Sequence, residues 1–137
     1  MINKMDLTKK ERDTIIAVGN SGSNDFPLRL VDLSLLLKVK PPTALNLVRR
    51  LSKKGCLKDA KGMIIFTDKG KKAYMELVEN HRVMETLMAN SGMDPDKACI
   101  LSENIDYLID HISVDRVFDN LGKPKSCPHG NKIEQNH

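Results

Sequence analysis

"VKPPTALNLVRRLSKKGCLKDAKGMIIFT", residues 39–67, decides the fold. Two prolines head its first half. Proline is favoured in the first turn of a helix because the N–H it lacks would have no partner there. From them Ala44, Leu47, Val48 and Leu51 fall on one helical face, and Thr43, Asn46, Arg49, Arg50 and Lys53 on the other. Gly55 stops the helix. The period then changes: "CLKDAKGMIIFTDKG" predicts two short strands, 56–58 and 63–67, joined by the turn "DAKG", where Gly62 supplies positive φ.

Upstream, residues 7–19 predict a helix capped by Thr8, with Glu11 at the capping-box spacing. "NSGSND" is a loop. Residues 27–39 predict a second helix, with Leu30, Leu33 and Leu37 at i, i+3 and i+7. Three helices followed by a hairpin make a winged helix-turn-helix. Downstream, a long helix is predicted over 67–90 and broken by "SGMDP". A second starts near Pro95 and runs through "DKACILSENIDYLIDHI", and a third starts near Ser113. The tail "KPKSCPHGNKIEQNH" is Pro/Gly-rich and is expected to end in disorder. The fold class is therefore mostly α with a small β-hairpin. A winged helix-turn-helix domain, 1–72, precedes a helical domain, 73–137.

The chain of 137 residues is 40% hydrophobic and 29% charged, ordinary for a soluble domain with its own core. No apolar run approaches the roughly 18 residues of a membrane span, and "MINKMDLTKKERD" lacks the apolar stretch of a signal peptide. A cytoplasmic protein with no membrane partner is expected. Three cysteines, Cys56, Cys99 and Cys127, are an odd number at wide spacing, which argues against a disulfide framework and leaves thiols for metal or redox chemistry, or simply for the core.

Charge is divided along the chain. Residues 38–72 hold eleven Lys/Arg against two acids, whereas residues 73–137 hold six against eleven. The basic part suggests a polyanion partner, against the plainer reading of a solvated basic face. A recognition helix enters the DNA major groove by its N-terminal half. Lys40, Pro42 and Thr43 stand at that end, and Thr43 suits a phosphate or a thymine methyl. Asn46 suits adenine, and Arg49 or Arg50 suits guanine or phosphate. Lys53, Lys54, Lys58 and Lys61 would be backbone contacts, the last two on the wing. Winged helices also serve as protein-binding modules, so fold alone does not decide the partner.

In the acidic part, His81 and Glu85 share a helix face at i, i+4, within an apolar stripe of Tyr74, Val78 and Met88. On the next predicted helix Cys99, Glu103, Asp106 and Asp110 follow i, i+4, i+7 and i+11, with Leu101, Ile105, Leu108 and Ile112 opposite. Carboxylates, an imidazole and one thiol suit Fe(II), Mn(II), Co(II) or Zn(II), with the thiolate leaning away from manganese. A satisfied core histidine and a solvated acidic face are the alternatives. No Gly-rich phosphate loop and no local Ser/His/Asp set point to an enzyme.

"PPTALNLVRRLSKKGCL", "TDKGKKA…ENHRVMETLM", "GMDPDKAC…IDYLI" and "PKSCPHGNKI" together resemble the diphtheria-toxin-repressor and manganese-transport-regulator type of iron- or manganese-dependent transcriptional repressors, over about residues 8–131. The resemblance implies a homodimer on a palindromic double-stranded operator. It also implies a divalent effector, Fe(II) or Mn(II), with Co, Ni or Zn able to substitute in vitro, and a compact form without the SH3-like domain of some members. Residue by residue, it places His81 and Glu85 at a His/Glu ligand pair. Cys99 falls at a histidine ligand of the iron type, Glu103 at a carboxylate of the manganese type, Asp106 at a glutamate of both, and Asp13 at an acidic ligand of the manganese type. Two positions depart: Tyr107 replaces a histidine, and Lys10 stands where an aspartate or methionine ligand is expected. Either a site survives around His81, Glu85, Cys99 and Glu103, or Lys10 pairs with Glu103 and Asp106 as a built-in cation and the regulator is metal-independent. Cys99 and the segment Cys127-Pro-His129 raise a third option, redox sensing.

Overall fold

The capping box at Thr8 sets the start of α1 (Lys9–Ser21): Thr8 Oγ1 accepts from the Glu11 amide, and the Glu11 carboxylate accepts from the Thr8 amide. β1 (Leu28–Arg29), α2 (Leu30–Leu37), α3 (Pro41–Lys53), β2 (Leu57–Ala60) and β3 (Met63–Phe66) follow. The computed structural model describes residues 6–22 and 24–135. The chain divides into two compact units, Thr8–Tyr74 and Met75–His137, the latter together with Met1–Leu7.

In the first unit α3 packs on α1 and α2 and buries Ala44, Leu47, Val48 and Leu51 beside Ile15, Val18 and Leu33. The helix ends as its glycine dictates. Gly55 has φ 83°, and the Cys56 amide returns to the Leu51 carbonyl at 2.9 Å, the 6→1 bond of a left-handed helix stop. The strands form one antiparallel sheet in the order β1-β3-β2, with Leu28 opposite Ile64 and Leu57 opposite Phe66. The hairpin turns on Lys61 and Gly62, at φ 56° and 82°, the two positive values a tight hairpin matched to strand twist requires. The sheet has a strand that the sequence does not announce. β1 is only two residues long, too short to show a period, and the helix expected over 27–39 begins after it at Leu30.

α4 (Asp68–Asn90) is capped by Thr67, whose Oγ1 accepts from the Gly70 amide at 3.0 Å. It continues into the second unit, which adds α5 (Pro95–Glu103) and α6 (His111–Asn120). Here one expectation is corrected. The helix predicted from Pro95 through residue 112 stops at Glu103, and a new one starts at His111. Asp110 is its N-cap, with the carboxylate accepting from the Ser113 amide at 2.8 Å. Cys99, Glu103, Asp106 and Asp110 therefore do not share one helix edge. The tail is also built in. Cys127 and Ile133 join Val83, Val114 and Phe118 in an apolar core, and Ser126 bridges Lys132. The disorder expected at the very end falls on 136–137, outside the described residues. No helix among the described residues is long and apolar enough to cross a membrane.

Candidate nucleic-acid interface and metal centre

The exposed face of α3 is polar. Pro42, Thr43, Asn46, Arg49, Arg50 and Lys53 are all exposed, with Lys40 at the N-cap. Lys58 is exposed on β2 and Lys61 at the hairpin tip. Two of the basic residues have a second engagement. Lys54 Nζ lies 2.7 Å and Arg50 Nε 3.6 Å from the carboxylate of Glu11, which is 1% exposed. Sequence reasoning took Glu11 as a capping residue only. The same side chain is also the buried anchor that ties α1 to the end of α3.

In the second unit α4 and α5 bring His81, Glu85 and Cys99 together, with their ligand atoms within 4.8 Å of one another. His81 Nε2 is 3.2 Å from Glu85 Oε2 and 3.4 Å from Cys99 Sγ. Its other nitrogen, Nδ1, is 3.3 Å from Asp106 Oδ2. A carboxylate behind one ring nitrogen fixes the tautomer that offers the lone pair at the other, the usual way a metal-binding histidine is held. Asp106, fully buried, thus orients His81 instead of joining the converging set. Glu103, at the end of α5, is half-buried and close enough to Cys99 to raise its pKa, but it is not among the three. Asp13 pairs with Lys9 at 2.6 Å and Arg12 at 3.1 Å on α1, and Lys10 is exposed on the same helix. Tyr107 is half-buried in the turn after α5.

Charge in the centre is balanced by His129. Its Nδ1 lies 2.6 Å from Glu85 Oε1 and its Nε2 2.9 Å from Asp96 Oδ1. A carboxylate oxygen at each ring nitrogen suits the doubly protonated ring, and the hydrogen bonds to Asp96 and then to Glu85 push the imidazole pKa up. Burial first, then the charges of Glu85 and Glu103, push the Cys99 thiol up as well. A thiol held in its protonated form is a poor redox nucleophile, which counts against the redox-sensing alternative. Of the pair Cys127 and His129, the cysteine is a core residue and the histidine is the one that faces the carboxylates of Glu85 and Asp96. The donor set of one imidazole, one carboxylate and one thiol fits a borderline divalent transition metal.

Residues 67–135 match the family described as "Iron dependent repressor, metal binding and dimerisation domain". The chain belongs to the iron-dependent repressor family. An HTH-type transcriptional regulator MntR of Lysinibacillus sphaericus (strain C3-41) is 29% identical over 93 residues, covering 66% of each chain. An uncharacterized HTH-type transcriptional regulator of Aeropyrum pernix is 27% identical over 106 residues, covering 77% of this chain and 59% of the relative. This chain thus spans about three-fifths to two-thirds of the length of those regulators. A hypothetical protein from Sulfolobus solfataricus superposes at TM-score 0.79 with 30% identity, covering 93% of this chain and 99% of the other. A manganese-dependent transcriptional repressor in complex with manganese superposes at 0.72 with 25% identity, covering 92% and 58%. The winged helix-turn-helix with a helical second unit is the fold of this family.

Proposed function

We propose that this chain is a metal-responsive transcriptional repressor that binds a palindromic double-stranded DNA operator as a homodimer. The convergence of His81 Nε2, Glu85 and Cys99 inside the family's metal-binding domain carries the reading. The exposed basic face of α3 and the wing supports the DNA half. The exposed apolar side chains Ile100, Leu101, Leu108 and Ile112 support the dimer.

A bound divalent cation would supply the positive charge that lets Glu85 and a Cys99 thiolate sit together beside His81. The chain's own groups prepare for it. Asp106 presets the His81 ring, and His129 neutralises Glu85 in the meantime. Glu85 could offer Oε2 to the cation while Oε1 stays with His129, and Cys99 would give up its proton on ligation, so binding would expel a proton. Regulation then requires the DNA-competent form to hold the cation more tightly than the other form does. Manganese is named for one similar solved structure, but the sulfur donor in this chain favours Fe(II) over Mn(II).

On α3, Arg50 is partly committed to Glu11. Base reading is therefore assigned to Asn46 and Arg49, with Thr43, Lys40, Lys53, Lys58 and Lys61 on phosphates.

The test is an anaerobic titration of a labelled promoter fragment with Fe(II), Mn(II) or chelator. Affinity is expected to rise at least about tenfold with Fe(II), an ordinary coupling free energy, and His81→Ala should lose the response. Affinity should also fall steeply between about 50 and 200 mM salt. Arg49→Ala should cost more operator discrimination than Arg50→Ala. Tight binding in chelator would overturn the metal half and leave the DNA half standing. Salt-independent or absent binding would overturn the DNA half.

A further inference from the structure

A second group of ligand-type side chains lies in the same unit, apart from the centre just described. Glu79 of α4 and His111 and Asp115 of α6 bring one ligand atom each to within 4.8 Å of one another. His111 Nε2 is 3.6 Å from Glu79 Oε1 and 3.8 Å from Asp115 Oδ2. These separations are longer than N–H···O hydrogen bonds. They are close to the roughly 3.4 Å that separates two ligands sharing a tetrahedral cation at bond lengths of about 2.1 Å.

The ring is also set in the orientation a cation needs. Asn80 spends both amide hydrogens on main-chain carbonyls, those of Asp106 at 3.0 Å and Ile109 at 3.2 Å. Its Oδ1 is therefore an acceptor, and it faces His111 Nδ1 at 3.2 Å. His111 Nδ1 donates to it, and in the neutral ring the lone pair then sits at Nε2, aimed between the two carboxylates. His111 and Asp115 are at i, i+4 on one helix face, a spacing that lets two side chains share one ion. The Glu79 side chain is fully buried.

We propose that Glu79, His111 and Asp115 form a second divalent-cation site that clamps α4 to α6. One imidazole and two carboxylates suit Zn(II), Fe(II), Co(II) or Mn(II), without the thiolate of the first centre. The two sites are joined through Asn80, which holds His111 by its oxygen and the Asp106 carbonyl by its nitrogen, while the Asp106 carboxylate holds His81.

Co(II) distinguishes the sites, because only the first offers sulfur and hence a thiolate-to-cobalt charge-transfer band. The full chain, reduced and without an affinity tag, is dialysed against Co(II), and bound metal and absorption are measured. Wild type is expected to hold two Co(II) per chain. A His81→Ala, Cys99→Ser variant should keep one without the charge-transfer band, and its thermal midpoint should rise with Co(II). His111→Ala should keep one with the band. Glu79→Gln, nearly isosteric, should do the same and serves if His111→Ala does not fold. A count of one in wild type that is unchanged by Glu79→Gln overturns the second site. Loss of all Co(II) in the His81, Cys99 variant overturns it too. A single Co(II) without the band, lost in Glu79→Gln, supports the second site and sinks the first.

Discussion

Glu11 shows how much one side chain can be asked to do. At 1% exposure its carboxylate accepts from the Thr8 amide at 2.9 Å and from Lys54 at 2.7 Å. Burial works to raise its pKa, but Lys54, the Thr8 N–H and the charge of Arg50 outweigh it and hold the group below the usual 4.5. The folded chain thus binds this proton less tightly than the unfolded chain. The resulting stability is fully present above the unfolded value and is lost as pH falls through the lower folded one. In urea unfolding, wild type is expected to lose more stability than Glu11→Gln as pH drops below about 4.5. At pH 7 Lys54→Met should cost about 1–2 kcal/mol. That is less than the loss of a partner from a fully buried pair, because Lys54 is a third exposed and Arg50 remains. The Lys54→Met deficit should shrink in acid. A deficit independent of pH would show that Lys54 contributes packing and not charge.

At the scale of elements, the interruption between α5 and α6 makes the metal-binding unit what it is. The Asp106 amide still bonds the Ser102 carbonyl at 2.9 Å, so its carboxylate reaches His81 from the turn that follows α5, and Asn80 of α4 donates to the Asp106 and Ile109 carbonyls within the interruption. Asn80→Ala would remove the side-chain donor to both carbonyls and leave a cavity at a position only 4% exposed. A loss of about 2–3 kcal/mol in unfolding free energy is expected, with weaker Co(II) binding at both centres. Unchanged Co(II) affinity at His81 would mean that Asp106 holds its place without Asn80.

This region also marks where the sequence stops being readable. The α3 face and its stop were legible because amphipathic spacing, Pro41-Pro42 and Gly55 all agree. The break was written too, in the cap spacing of Asp110 and Ser113, but the leucines and isoleucines of 101–112 keep an apolar rhythm across it and mask it. His81, Glu85 and Cys99 could be paired by motif. Glu79 with His111, and His129 with Glu85, are brought together only by packing across 32 and 44 positions, for which no local pattern exists.

At the scale of the whole molecule, the apolar rhythm of 101–112 leaves large side chains at the surface. Ile100 is 59%, Leu108 52% and Ile112 51% exposed, large values for isoleucine and leucine in a row on a soluble unit. In a family whose matching region is described as a dimerisation domain, a second copy of this chain is the occupant we assign to them. In the proposed dimer each basic winged helix would contact one half-site, and once the first is bound the second would bind at the effective concentration set by the dimer, worth about 10²–10⁴ in affinity without any new contact. Leu108→Lys with Ile112→Lys, neither of which belongs to α3 or to the His81, Glu85 and Cys99 set, should give a folded monomer in sedimentation equilibrium. That monomer is expected to bind the palindromic operator at least about a hundredfold more weakly than wild type, while its affinity for a single half-site stays the same. A double variant that remains a dimer would move the interface elsewhere on the chain. One that is monomeric yet binds the palindrome as wild type does would show that the two half-sites are read independently.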